Sequence, residues 1–191
     1  TARFAALYGV WYPHRRDESA FARAFINEMR GTVQAMRAIR EVIPNAQLVQ
    51  TEDLGRIYAT RHMGYQARFE NTRRWLTWDL LCGFVRDDRH RMWGHLQWAG
   101  IGRDTLREFA DSPCPPDIIG IDHYLTSERF LDERRDRYPA HTWGNNGCDD
   151  YADIEAVRVL ADGLRGGVGL VLREAWNRYR LPIAITEVHL G

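Results

Sequence analysis

Cysteine is scarce in this chain of 191 residues: Cys82, Cys114 and Cys148 are far apart and odd in number. They form neither a metal-ligand spacing nor a disulfide framework, so a reducing cytoplasm is the expected compartment. Long apolar runs are missing as well. None could span a bilayer and no secretory signal is visible, so no membrane association is expected. Charge of one sign is also lacking, with 26 acidic and 26 basic residues. That balance gives no global field for nucleic acid or an anionic surface. There is no serine-centred nucleophile elbow and no phosphate loop of Gly-Lys-Ser type. The glycine-rich run 163–169 follows no clear strand and misses dinucleotide spacing, so it reads as a loop before a helix. No cofactor is expected. Arginine far outnumbers lysine, which points to a GC-rich bacterial genome rather than to a mechanism.

What is present is an alternation of helical and strand patterns. Residues 1–17 read as a loop-like lead-in with aromatics and turn formers. Phe21, Phe25, Met29, Val33, Met36, Ile39 and Ile43 recur at helical spacing and give one apolar stripe, ended by Pro44. Residues 46–51 read as a strand that ends in Glu52-Asp53. A helix is predicted over about 65–81, with Phe69, Trp75, Leu76 and Leu80 inward and Gly83 as its stop. Residues 84–102 read as irregular, with His90, Trp93, His95 and Trp98 as either a sugar-stacking wall or packed anchors. A short helix over 104–110 leads to the breaker cluster Ser112-Pro113-Cys114-Pro115-Pro116.

The next strand is Asp117-Ile118-Ile119-Gly120-Ile121-Asp122-His123-Tyr124-Leu125-Thr126. Period-two alternation puts Asp122 and Tyr124 on one face and His123 on the other. Residues 127–150 read as a long polar loop. A last helical stretch, about 170–179, feeds a final apolar run, 181–185, that suits a strand buried on both faces. Glu187 follows where that run stops. In parallel α/β folds the carboxyl ends of strands are where active sites are built. The order predicts successive βα units and a parallel sheet, either open or part of a barrel. Glu187 and His189, with Asp122 or Glu52 nearby, also suggest a metal site, although no His-Xaa-His motif accompanies them.

Two segments carry a resemblance. Residues 116–127, with Asp117-Ile118-Ile119-Gly120-Ile121-Asp122-His123-Tyr124, are similar to the sixth-strand segment of family one glycoside hydrolases, the β-glucosidase and 6-phospho-β-glucosidase family. Ile183-Ala184-Ile185-Thr186-Glu187 resembles that family's seventh strand, whose Thr-Glu-Asn-Gly motif carries the nucleophile. Ala6-Leu7-Tyr8-Gly9-Val10-Trp11-Tyr12-Pro13 is similar to the stretch after the fourth-strand Asn-Glu-Pro motif, which is absent here. The nearest likeness is to a divergent branch, often joined to a dTDP-4-dehydrorhamnose reductase-like domain.

The resemblance implies an α/β fold with parallel strands, a partial (β/α)8 barrel from about the fourth crossover to the seventh strand. Residues 1–191 would then be one partial domain, truncated at both ends, as the start at Thr1 and the end on a strand tip also suggest. The implied activity is hydrolysis of O-glycosidic bonds by a retaining β-glycosidase of carbohydrate metabolism. Glu187 matches the nucleophile and Tyr124 the tyrosine that hydrogen-bonds it. Asp122, His189 and Glu52 are expected to contact substrate. The acid/base Glu would lie upstream, so these residues alone are expected to be inactive. Asp122 stands where the family has Asn, His123 where it has Tyr, and Val188-His189-Leu190-Gly191 replaces the usual Asn-Gly continuation. The competing expectation is a catalytically degenerate barrel that binds a sugar or supports a fused partner domain.

Overall fold

A computed structural model describes residues 2–159 and 166–189. In chain order the elements are a π-helical turn Arg3–Leu7, α1 Glu18–Val42, β1 Val49–Asp53, β2 Ile57–Ala59, α2 Gly64–Arg73, α3 Leu76–Leu81, α4 Trp93–Trp98, α5 Arg103–Asp111, β3 Ile118–Tyr124, β4 Arg129–Asp132, β5 Trp143–Asn145, β6 Asp150–Glu155, α6 Val168–Tyr179 and β7 Ile183–His189. They fall into two compact units, one of residues 1–48 with 76–116, the other of 49–75 with 117–191. Among the described residues no helix is long and apolar enough to cross a membrane. Part of the glycine-rich run, 163–165, lies outside the described residues, as do Leu190 and Gly191 of the final segment.

The first unit is helical. Asp17 caps α1 by accepting from the Ala20 amide, which satisfies one of the helix's unpaired N–H groups. The stripe Phe21, Phe25, Met29, Val33 and Met36 is buried, while Ile39 and Ile43 at the far end are exposed. Helix α3 packs against α1 and α5 and is buried throughout. Its Asp79 carboxylate is fully buried and lies 3.0 Å from His90 Nε2. His95 Nε2 is 3.2 Å from the Glu18 carboxylate. Both histidines are thus tied to acids. Trp93 is buried and Trp98 is 73% exposed, and the His95 and Trp98 ring centroids lie 5.4 Å apart. The stretch read as irregular contains α4.

The predicted helix over 65–81 is two helices, α2 and α3, separated at Arg74–Trp75. The Arg74 amide still donates to the Glu70 carbonyl at 3.0 Å, while its side chain reaches outside the helix, Nη1 donating to the Gly55 carbonyl at 2.8 Å and Nη2 to Glu174. Gly83 takes φ +73° and closes the segment as expected.

The second unit holds two sheets. One is parallel with order β1-β3-β7, and the other has order β2-β4-β6-β5. In the latter, β2 and β4 are parallel, whereas β4–β6 and β5–β6 are antiparallel. Residues 127–150 are therefore not a plain polar loop: they hold β4, two 3₁₀ turns, β5 and the start of β6. Leu131 packs with Met63 and Ala67 of the α2 entry, against Ile57, Ala59 and Tyr151. Asp132 beside it is fully buried, and its carboxylate accepts from the Arg134 amide at 2.9 Å, Arg134 Nε at 2.8 Å, Arg134 Nη2 at 2.7 Å and the Tyr138 hydroxyl at 2.8 Å. Of the charged residues in this stretch Asp132 is the buried one, while Arg134, Asp136 and Arg137 face solvent.

Strand β7 also departs from expectation. It is an edge strand, and Ile185, Thr186, Glu187, Val188 and His189 are exposed. An apolar run marks a strand, but only the sheet order decides whether both of its faces are covered. By contrast Ile119 and Ile121 of the central strand β3 are fully buried.

Candidate active site

The parallel sheet brings the carboxyl ends of β1, β3 and β7 to one end. In the β1–β3 register Thr51 faces Gly120, Glu52 faces Ile121 and Asp53 faces Asp122. In β3–β7, Ile119 faces Ile183, Gly120 faces Ala184 and Ile121 faces Ile185. There the register moves by one residue. Asp122 pairs with Glu187, His123 with Val188 and Tyr124 with His189, so Thr186 is the extra residue of a β-bulge.

Side chains opposite one another in a parallel pair point to the same face. Asp53, Asp122 and Glu187 therefore form one row across the three strands, with Tyr124 and His189 in the row beyond. Thr51, Gly120 and Ala184 form the row beneath, where small side chains leave space. Glycine is needed there: a Cβ on Gly120 would lie 2.5 Å from Thr51 Cγ2.

Like charges side by side in a sheet repel. Each carboxylate of the row is compensated by its own hydroxyl. Ser127 Oγ donates to Asp53 Oδ1. Thr186 Oγ1 donates to Asp122 Oδ1 at 2.6 Å. The Tyr124 hydroxyl donates to Glu187 Oε2. Ser127 also accepts from the Tyr124 amide at 3.0 Å, which ties the end of β3 to the same network. A carboxylate that accepts a hydroxyl bond is favoured in its ionised form and fixed in direction.

Of the residues singled out from sequence, Tyr124, Asp122, Glu187 and His189 thus share one face. Glu52 does not: it sits on the opposite face, in register with the buried Ile121. Its neighbour Asp53 takes the place in the row. Among the described residues no three His, Cys, Asp or Glu side chains converge to hold a metal ion. Glu187 and His189 share a face without forming such a group.

Some of the surroundings were not visible in the sequence. A cavity of about 280 Å³ opens beside Tyr124, lined by Tyr58, His123, Leu125, Glu128 and Gly167 among others. Glu128 Oε1 accepts from the Gly167 amide at 2.8 Å. Burial pushes the Tyr58 phenol above its ordinary value, and the neighbouring Glu128 charge adds to the effect. His123 Nδ1 is 2.9 Å from the Leu54 carbonyl, which can only accept, so this nitrogen carries the hydrogen. Tyr58 and Glu128 gave no sequence signal because each lies in or beside a short strand with no apolar alternation.

Gly55 is where the segment after β1 meets the segment after β3. A Cβ there would lie 1.8 Å from the Ser127 carbonyl oxygen, a backbone atom that cannot swing aside. Gly55→Ala is expected to cost about 1–3 kcal/mol through overpacking. It should also displace Ser127 from Asp53. Denaturant unfolding of Gly55→Ala beside an exposed control such as Gly102→Ala, which has an ordinary φ of −65° and meets no atom within 4 Å, isolates the steric effect.

No protein-family profile matches the sequence, and no curated protein does. Solved structures do share its fold. The family 1 β-glucosidase from Thermotoga maritima superposes with a TM-score of 0.70 over 99% of this chain at 18% identity. The Thermotoga maritima β-glucosidase in complex with azafagomine gives 0.70, and in complex with deoxynojirimycin 0.67, each over 98% of this chain at 18% identity. The chain spans 40% of the length of these glucosidases. At that identity the likeness establishes the fold: this α/β chain, with its parallel sheet, has the fold of part of a β-glucosidase (β/α)8 barrel.

Proposed function

We propose that this chain contributes to a retaining β-glycosidase that hydrolyses O-glycosidic bonds of a carbohydrate substrate, with Glu187 as the nucleophile. The observation that carries the reading is the hydrogen bond from the Tyr124 hydroxyl to the Glu187 carboxylate, at the carboxyl ends of adjacent parallel strands. A nucleophilic carboxylate must stay ionised and aim one oxygen at the sugar's anomeric carbon. A phenol donor on the other oxygen supports both requirements. The fold shared with glucosidases of Thermotoga maritima agrees with this chemistry.

A retaining mechanism needs a second carboxyl group about 5–5.5 Å from the first, to protonate the leaving oxygen and then activate water. Asp122 and Asp53 are near in the row, but each accepts a hydroxyl of its own and lies beside the nucleophile rather than across a sugar from it. The proposal therefore assigns the acid/base to a segment outside these 191 residues. In this reading Asp122 and His189 meet sugar hydroxyls.

The test is covalent trapping. A mechanism-based 2-fluoro glycoside, applied to the longer polypeptide that carries this chain, is expected to label Glu187, identified by peptide mass mapping. Labelling of Asp122, Asp53 or another carboxylate would refute the assignment.

A further inference from the structure

The ladder between β3 and β7 contains a departure that regular pairing would not produce. If the register that sets Ile121 opposite Ile185 continued unbroken, Thr186 would face Asp122 and Glu187 would face His123. Glu187 would then share a face with His123, whose side is buried, and turn away from Tyr124. The one-residue bulge at Thr186 reverses this. It moves Glu187 opposite Asp122 and onto the face of Tyr124.

An extra residue in a parallel ladder loses a backbone partner, so something must hold it out of register. Thr186 has a candidate: its hydroxyl donates to Asp122 Oδ1 at 2.6 Å. The contact links the bulged residue to the residue on the central strand that Glu187 has come to face. Ser127 and Tyr124 supply the hydroxyls for the other two carboxylates, so neither is free to replace Thr186 on Asp122.

We propose that Asp122 and Thr186 are positioning residues whose side-chain hydrogen bond locks the β7 bulge and thereby presents Glu187 to Tyr124. This deepens the glycosidase reading and rests on it for its purpose, but the lock itself can be tested without turnover. It gives Asp122 a task that any oxygen acceptor of that length can perform. Thr186 needs only its hydroxyl, so serine can stand in and valine, of nearly the same shape, cannot.

The experiment uses the longer polypeptide with tyrosine labelled at the ring carbon that bears oxygen. Its carbon shift reports whether the hydroxyl donates to a carboxylate. Tyr124 is assigned by the signal that Tyr124→Phe removes. Thr186→Val and Asp122→Ala are expected to move the Tyr124 signal to the position it takes in Glu187→Ala, where no side-chain acceptor is left. Thr186→Ser and Asp122→Asn are expected to leave it in place. Trapping by the 2-fluoro glycoside should slow by roughly tenfold or more in Thr186→Val relative to Thr186→Ser, as expected for a displaced reacting group.

A Tyr124 signal unmoved in folded Thr186→Val and Asp122→Ala overturns the lock. If the signal moves but the unsubstituted protein is never labelled, the lock stands and the glycosidase reading falls. If Glu187 is labelled equally fast in Thr186→Val and Thr186→Ser, the lock falls and the glycosidase reading stands. Should the variants fail to fold, a crystal structure of the unsubstituted polypeptide decides: Glu187 opposite His123, or Thr186 Oγ1 turned away from Asp122, overturns the proposal, and the bulged register with the bond present sustains it.

Discussion

Glu187→Gln is expected to abolish turnover, lowering kcat by about 10⁴-fold or more, while the protein remains folded. The amide keeps the length and shape of the side chain and can still accept from the Tyr124 hydroxyl. It loses the negative charge and with it the ability to attack the anomeric carbon. Stability should hardly change, because the side chain is exposed on an edge strand. The informative measurement is therefore kcat beside a melting curve. Unchanged melting with lost turnover supports a chemical role, whereas ordinary turnover in Glu187→Gln would remove the basis of the proposed function. Added azide on Glu187→Ala gives a further check, since truncation leaves room for a small anion to replace the missing carboxylate nucleophile.

The second large effect belongs to Asp132, which lies outside the row of carboxylates and has a different role. Asp132→Ala is expected to cost about 2–3 kcal/mol of stability, since it leaves the half-buried Tyr138 hydroxyl and an arginine fork without the buried carboxylate that both met. Arg134 is itself 46% exposed and can turn to water, which keeps the cost below that of a fully enclosed pair. The Arg134 guanidinium holds the Asp132 carboxyl down to about 2, and the Arg134 amide and Tyr138 hydroxyl act in the same direction. That lowered value sets the sign of the pH dependence. At pH above the ordinary carboxyl range both the folded and unfolded chains are ionised here, and the full contribution is present. As pH falls from about 4 toward 2 the unfolded chain takes up the proton first, so the contribution is lost. Urea unfolding of wild type and Asp132→Asn between pH 2 and 7 checks this: the gap between them should narrow as the solution is acidified. A gap that stays constant would show that the Asp132 charge has no part in stability.

The contrast between these two acids shows what a sequence can reveal. Glu187 was legible because an apolar run, 181–185, stops just before it, and a carboxylate at a strand's end is conspicuous. Asp122 and Tyr124 were placed on one face by simple alternation, and the register has them there. The same alternation misleads one strand further on. Counting by two from Ile185 puts Glu187 on the wrong face, and only the bulge at Thr186 corrects it. A bulge is decided by pairing with a neighbour, so β7 alone could not disclose it. Glu52 and Asp53 illustrate the same limit: both end β1, and which of them faces the site depends on register with β3. Asp132 was hidden for another reason. Strand β4 reads Arg-Phe-Leu-Asp, too short and too charged to stand out from a loop, and its burial depends on β6 folding back more than fifteen residues later.

The position of β7 has a consequence for handling. Among the described residues it is the outer strand of its sheet and carries the exposed apolar side chains Ile185 and Val188. A closed (β/α)8 barrel has no such border, whereas an open one invites a strand from another molecule to add itself. Glu187 stands on that strand, so when these 191 residues are handled by themselves, self-association would cover the acid as well as the border. A substitution at Thr186 should therefore be read in a solubility assay as well as at the site.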